Sequence, residues 1–494
     1  MDRRGFLQRA SLGALAGAFA QTMFASAQGG GAGASPKRKK PRPNILFCIA
    51  DDQSWAHTSI MNDPVVKTPA FDRVAREGVL FRHAYCCAPS CSPSRSSILT
   101  GQAPWRLEEG GDLWGTLPSK FPVYPDLLEA AGYHVGYMRK GWGPGRDEPG
   151  GRKRNPAGNR YKNFEEFLNS VPEGKPFCFW FGSYDPHRPY KKGSGRAAGM
   201  DPSKVIVPPH LPDAPEVRSD ILDYYLDVQR YDSDVGAMLK LLEQRGLLDN
   251  TLVVVTSDNG MAFPRAKANL YDFGTRMPLA VRWPERVPGG RVVDDFISFE
   301  DFAPTFLEAA GLEPLPEMTG KSFLNILTSN SSGRTDPERN KVFFGRERHA
   351  WCRAGGLGYP SRAVRTHEFL YIRNFAPERW PAGDPQPIGR WARGFGDCDD
   401  SPTKFYMLDH REDEAVRELF ALAFDKRPAE ELYHLRNDPG QLRNVADKPE
   451  YAEVKQRLAR ELERWMAEIK DARALGRGEL WDSYPYYGGH RQRK

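Results

Sequence analysis

Apolar positions in the first half of the chain come in short unbroken runs, and each run stops at polar or charged residues. "NILFCIA" (44–50) leads into Asp51 and Asp52, and "GYHVGYM" (132–138) into Arg139 and Lys140. "FCFWFGSY" (177–184) leads into Asp185, Pro186 and His187, and "TLVVVTS" (251–257) into Asp258 and Asn259. Continuous rather than alternating runs suit strands covered on both faces, the condition of a parallel sheet between helices. Helical stretches intervene: "TPAFDRVAREG" (68–78), "YPDLLEAAG" (124–132) and a long amphipathic segment over 220–246. In the last of these Asp220 is expected as the N-cap and Gly246 as the stop. The pattern predicts an α/β fold with a large mixed, mostly parallel sheet sandwiched by helices.

In open sheets of this kind ligands bind beyond the carboxyl ends of the strands. Asp51, Asp52, Lys140, His187, Asp258 and Asn259 all follow predicted strands directly, so they are expected to converge although more than 200 residues separate the first from the last. Beyond about residue 335 the texture changes to short strand-like pieces such as "KVFFGRERHAW" and "SRAVRTHEFLYIRNF". A final amphipathic helix then presents Val454, Leu458, Leu462, Trp465 and Ile469 at helical spacing, which predicts a core face. The expected organisation is a catalytic domain over 43–335, a smaller C-terminal α+β domain over 336–480 and a loose tail over 481–494.

The N-terminus is set apart. Arg3 and Arg4 precede a modest apolar stretch ending at Ala25-Ser26-Ala27, the pattern of a twin-arginine export signal over 1–27. Such a signal implies the Tat export machinery as a partner and a periplasmic or extracellular destination after cleavage. A basic linker over 28–42 follows. Of the net charge of +6, the signal-like segment carries +2 and the linker +5, leaving −1 for the rest. A nearly neutral body has no footprint for nucleic acid, and no apolar run is long enough for a membrane span. Seven cysteines without CxxC spacing make a structural zinc site improbable, while disulfides among the six other than Cys91 stay open.

Two features carry chemistry. Adjacent carboxylates at Asp51-Asp52 and the pair Asp258-Asn259 make a hard, all-oxygen donor set of the kind that Ca²⁺ or Mg²⁺ takes. "CSPSRSSILTG" (91–101) places Cys91 at an expected helix start, where backbone N–H groups favour anions, with the fixed cation of Arg95 four residues later.

That segment matches C-x-P-S-R-x-x-x-L-T-G at Cys91, Pro93, Ser94, Arg95, Leu99, Thr100 and Gly101. The chain therefore resembles the type I formylglycine-dependent sulfatases of the alkaline phosphatase superfamily, from about Arg42 to Ala446. The resemblance implies an alkaline phosphatase-like fold. It implies that a formylglycine-generating enzyme converts Cys91 to formylglycine, whose hydrate is the nucleophile. It implies one divalent cation, Ca²⁺ in first place and Mg²⁺ second, held by Asp51, Asp52, Asp258, Asn259 and residue 91. Arg95, Lys140, His187 in "YDPHRPY" and Lys267 in "FPRAKANLYDFG" match the family's catalytic positions: Arg95 steadies the hydrate and the sulfate, Lys267 binds sulfate, Asp258 assists attack, and His187 or Lys267 protonates the leaving atom.

One departure stands out: "RKGWGPG" has Trp142 where the family's K-W-H segment has histidine, so the base of the last step does not carry over, and His134 is a weak substitute. The stretches around 257–274 and 345–375 look most like the heparan N-sulfatase (sulfamidase) branch, which implies a sulfated carbohydrate substrate, heparan-like or algal, with Glu347, His349 and Arg362 lining the sugar pocket. Phosphate mono- or diester and phosphonate monoester hydrolysis is the alternative chemistry, and a non-catalytic glycan binder a third reading.

Overall fold

The computed structural model describes residues 42–489, whose strands form two sheets. The first contains β1 (Asn44–Ala50), β2 (Val79–Tyr85), β3 (His134–Arg139), β4 (Asn159–Arg160), β5 (Phe177–Gly182), β6 (Thr251–Ser257), β7 (Arg276–Arg282) and β8 (Arg291–Ser298). Their spatial order is β4-β3-β5-β1-β6-β7-β2-β8, and only β7 runs against the rest. Every residue of β1 and β6 is buried, which is why both appear as unbroken apolar runs. Side chains still alternate. Ile45, Phe47 and Ile49 pack toward α3 (Tyr124–Ala130) and α5 (Phe302–Ala309), while Leu46, Cys48 and Ala50 face α1 (Pro69–Glu77) and the long α4 (Pro215–Gln244).

The predicted bounds of β1 and β6 hold to the residue. β2 and β8 escape the pattern because charges interrupt them: Arg82 and His83 in one, Asp294 and Asp295 in the other. The register then sets the site. Ala50 pairs with Ser257, Ile49 with Gly182, and Gly182 with Arg139, so β1, β6, β5 and β3 end on one edge and release Asp51, Asp258, Ser183 and Lys140 side by side.

The second sheet is antiparallel, in the order β12-β11-β10-β9, from β9 (Lys341–Arg346), β10 (Ser361–Thr366), β11 (Phe369–Asn374) and β12 (Glu430–His434). The helix α6 (Ala452–Glu468) covers it with Leu458, Leu462 and Met466, and Phe344 and Tyr433 share a cluster with Tyr85 and Phe296 of the first sheet.

Two expectations are corrected, and the open question of disulfides is answered. The long helix starts at Pro215, whose fixed φ suits a first turn, and not after Asp220. Asp220 lies inside it, holding the Arg188 guanidinium through both oxygens at 2.8 Å. The segment after Leu480 is not loose throughout: Trp481 is buried against Trp105, with ring centroids 6.1 Å apart. All seven cysteines are free and buried, so no disulfide forms. The export signal and nearly all of the linker lie outside the described residues, among which no helix is long and apolar enough to cross a membrane.

Candidate functional site

Cys91 opens α2 (Cys91–Thr100), a helix buried along its whole length and closed by Gly101 at φ +68°, a conformation glycine adopts without strain. Ser94 Oγ donates to the Asp258 carbonyl at 2.6 Å and ties the first turn to the end of β6. Arg95, one turn after Cys91, projects from the same face. Its Nε donates to Asp258 Oδ2 at 2.8 Å and its Nη1 to the carbonyls of Lys140 and Gly141 at 3.0 and 2.8 Å, while its Nη2 is buried without a partner.

Ligand atoms of Asp51, Asp52, Asp258 and Cys91 lie within 4.8 Å of one another. Asp52 sits at φ +76° and donates its backbone N–H to Asp258 Oδ1 at 3.1 Å, which turns its carboxylate into the cluster. Three carboxylates this close repel by about 1 to 4 kcal/mol per pair, so cations surround them. Lys140 Nζ reaches Asp51 at 2.6 Å, Lys267 Nζ reaches Asp52 at 2.7 Å, and His187 Nε2 stands 3.9 Å from Asp52. Asn259 Nδ2 donates to Asp52 Oδ1 at 2.7 Å, leaving Asn259 Oδ1 buried and unpartnered.

The electrostatics follow from this packing. Burial opposes ionisation of Asp51, but Lys140, His187, Arg95 and Lys267 together hold its carboxyl well below the ordinary range. At Asp258 burial wins and the carboxyl is raised. Burial would discharge Lys140 and Lys267, yet Asp51 for the first, and Asp399 with Asp52 for the second, keep both charged. The Cys91 thiol is pushed well above its usual value by burial, with Lys140 opposing and Asp51 and Asp258 adding. It is a poor nucleophile as a thiol. A hard divalent cation fits the donor set: carboxylate oxygens converge, and the orphaned Asn259 Oδ1 lacks only a positive partner.

The structure thus brings together Asp51, Asp52, Cys91, Arg95, Lys140, His187, Asp258, Asn259 and Lys267. His349 is near: its Nδ1 is 2.8 Å from the Oγ of Ser90, the residue before Cys91. Glu347 and Arg362 are corrected. Arg362 is fully buried, bound to Asp471 and Glu347 at 2.7 Å each and lying 3.7 Å over the Trp105 ring, and Glu347 is closed off by Arg473 at 2.6 Å. Neither presents an atom to a sugar. Trp142 is buried in the core and donates Nε1 to Ser96 Oγ, and His134 lies at the other end of β3, bonded to Ser170 and Tyr161. Sequence reasoning missed Asp399, whose Oδ2 is 3.4 Å from Lys267 Nζ; its "GDCDDSP" context carries no periodicity or spacing that could have flagged it.

Known proteins resemble this chain over most of its length. Residues 265–380 match the model for the C-terminal region of N-sulphoglucosamine sulphohydrolase. The human N-sulphoglucosamine sulphohydrolase is 29% identical over 484 residues, covering 88% of this chain and 91% of its own length. An ulvan-active sulfatase of Formosa agariphila is 28% identical over 511 residues, covering 89% and 77%. A solved structure described as BT4656 in complex with its substrate D-glucosamine-2-N,6-O-disulfate superposes with a TM-score of 0.62 at 20% identity, over 87% of this chain and 98% of that one. Because the Sulfatase family model matches residues 43–312, more than half of the chain and all four strands whose ends build the acidic cluster, the chain belongs to the sulfatase family and is a hydrolase of that kind.

Proposed function

We propose that this protein removes sulfate from a sulfated carbohydrate, with a terminal N-sulfated glucosamine as the favoured group. The observation that carries this reading is the cluster itself: a nucleophile position at a helix N-terminus faces three carboxylates and an orphaned amide oxygen, ringed by Arg95, Lys140 and Lys267. Similarity across most of the chain to an N-sulphoglucosamine sulphohydrolase and to a sulfatase active on ulvan supports the substrate class.

A divalent cation, Ca²⁺ by the oxygen donors, would be held by Asp51, Asp52, Asp258, Asn259 and residue 91, and would supply Lewis-acid polarisation of a sulfate oxygen. Conversion of Cys91 to formylglycine would supply an oxygen nucleophile in place of a thiol that burial keeps protonated.

The chain's own side chains do the rest. Sulfuryl transfer spreads negative charge over the departing group, and preorganised cations at those oxygens are the largest catalytic contribution. Arg95 and Lys140 are fixed by Asp258 and Asp51, so they meet that charge without reorganising. Asp258, raised by burial, accepts the proton of the attacking hydroxyl. His187, its side chain 37% exposed beside Asp52, faces the mouth and delivers a proton to the leaving oxygen or nitrogen. Maturation requires a formylglycine-generating enzyme before folding buries Cys91, and the twin-arginine pattern assigns export to the Tat machinery and a periplasmic or extracellular setting.

The test is a desulfation panel of defined heparan and algal oligosaccharides, with aryl sulfate and aryl phosphate alongside, on protein produced with the maturing enzyme. Sulfate release from N-sulfated glucosamine ends supports the reading. Preference for the phosphate would overturn it in favour of phosphorus chemistry.

A further inference from the structure

Asp399 arrives at the site from the segment between β11 and β12, far in sequence from every other site residue except His349. Among the described residues its Oδ2 is buried and accepts no hydrogen bond, and its close ionic neighbour is Lys267 Nζ at 3.4 Å. Lys267 stands between two carboxylates, Asp52 at 2.7 Å and Asp399 at 3.4 Å, so its single charge cannot neutralise both. The groups that act most on its charge are Lys267, His187, His349 and Arg188, and it shares the first two with Asp52, on the more exposed side of the cluster. Exposure gives the same order: the Asp52 side chain is sealed, that of Asp399 is 20% exposed and that of His187 is 37% exposed.

Unlike Asp51, Asp52 and Asp258, Asp399 is outside the converging ligand set, so a direct contact with sulfate would set like charges together. A carboxylate is an acceptor only, and this one lacks a donor. A substrate whose sulfate lies against Arg95 and Lys267 would bring its leaving group toward this acceptor.

We propose that Asp399 is a specificity-determining residue that accepts a hydrogen bond from a hydroxyl or amino group on the sugar ring carrying the sulfate. This rests on the sulfated-carbohydrate reading and adds to it the requirement for a ring donor. Aryl sulfates, with no such donor, are blind to Asp399.

The experiment compares wild type and Asp399→Asn, both matured at residue 91, on N-sulfated glucosamine and on an aryl sulfate. A hydrogen bond to a charged acceptor predicts a loss of about 10- to 100-fold in kcat/KM on the sugar. Loss on the aryl sulfate stays within about threefold. A matching set of N-sulfated glucosamines, each lacking one ring hydroxyl, identifies the donor: removing it lowers wild-type kcat/KM and leaves Asp399→Asn unaffected. Asp399→Glu, which keeps the charge but moves it, should lose an intermediate amount and serves if the Asn variant does not fold. Equal losses on both substrates would overturn the proposal, because Asp399 would then act only by positioning Lys267, and so would unchanged kinetics on the sugar. A wild type that cleaves aryl sulfate but no sulfated sugar overturns the carbohydrate reading as well, and is told apart by needing no variant.

Discussion

Arg95 and Arg362 are both fully buried guanidiniums held by carboxylates, and they differ in what their surroundings leave over. Arg362 spends every nitrogen: Nε and Nη2 on Asp471, Nη2 also on Glu347, and Nη1 on the carbonyls of Arg346 and Ser361. Arg473 closes Glu347 from the other side. Around Arg95 its own Nη2 and Asn259 Oδ1 are unmatched among the described residues and lie beside four converging ligand groups, whereas the unmatched atoms near Arg362, Trp105 Nε1 and Arg346 Nε, adjoin no such set. Buried polar atoms are almost always paired, so orphans beside a convergent donor set mark where a ligand completes the network. Buried charge alone marks only rigidity. That distinction is why Glu347 and Arg362, plausible from sequence as sugar contacts, are structural, while the strand-end carboxylates are not.

The sharpest way to separate the two networks is to remove the centre of the open one. Cys91→Ala should lower kcat/KM on any sulfate by at least about 10⁴-fold, as loss of a nucleophile does, while the melting temperature moves by only a few degrees. A variant with more than about a tenth of wild-type activity would show that residue 91 is not the reacting group.

The closed network should answer the opposite way. Arg362→Ala leaves Glu347 and Asp471 buried beside a hole, and removing one partner of a buried pair costs about 3 to 5 kcal/mol. Stability in denaturant should fall by that much, while kcat per folded molecule stays within about threefold. A large loss of kcat with unchanged stability would return Arg362 to the sugar pocket.

Acid should find the open region first. Burial, with Lys267 adding and Asp397 opposing, lowers the His349 imidazole to about 3. Unfolded chains take up a proton there near pH 6.5 and the folded protein does not, so stability falls as pH drops from about 6.5 toward 3. The cost at pH 5 is about 2 kcal/mol. Asp397 behaves differently. Burial opposes its charge, but Arg353 and Arg346 hold its carboxyl well below normal, so its contribution is intact above the ordinary carboxylate range and is lost only as pH falls below it. His349→Asn should flatten the slope between pH 6.5 and 5 in denaturant titrations, and an unchanged slope would refute the buried neutral imidazole.

Much of this was legible before any coordinates. The strand ends could be read because complete burial writes itself as an unbroken apolar run, and because parallel neighbours must release their next residues on one edge. The Cys91 segment could be read because helix start, cation and anion-binding turn are local in sequence. What escaped was set by tertiary partners. Asp399 lies in a segment without apolar periodicity and reaches Lys267 only through the fold. Asp220 looks like a helix cap until Arg188 arrives, and Trp481 looks like a tail until Trp105 covers it.

Trp142 gives the smallest effect and tests whether a family position can be occupied without inheriting its role. Its indole lies in the core on the α3 side of the sheet, and its only described side-chain hydrogen bond runs to Ser96 Oγ at 2.9 Å, so it offers no nitrogen to the acidic cluster. Trp142→Phe removes that bond and part of a buried ring, which costs about 1 to 2 kcal/mol in stability. The kcat should stay within about twofold and its pH profile should keep its shape, because nothing that titrates has been removed. A profile that loses a limb would mean the indole orders a proton path through Ser96, and the boundary between the open and closed networks would have to be redrawn to include that residue.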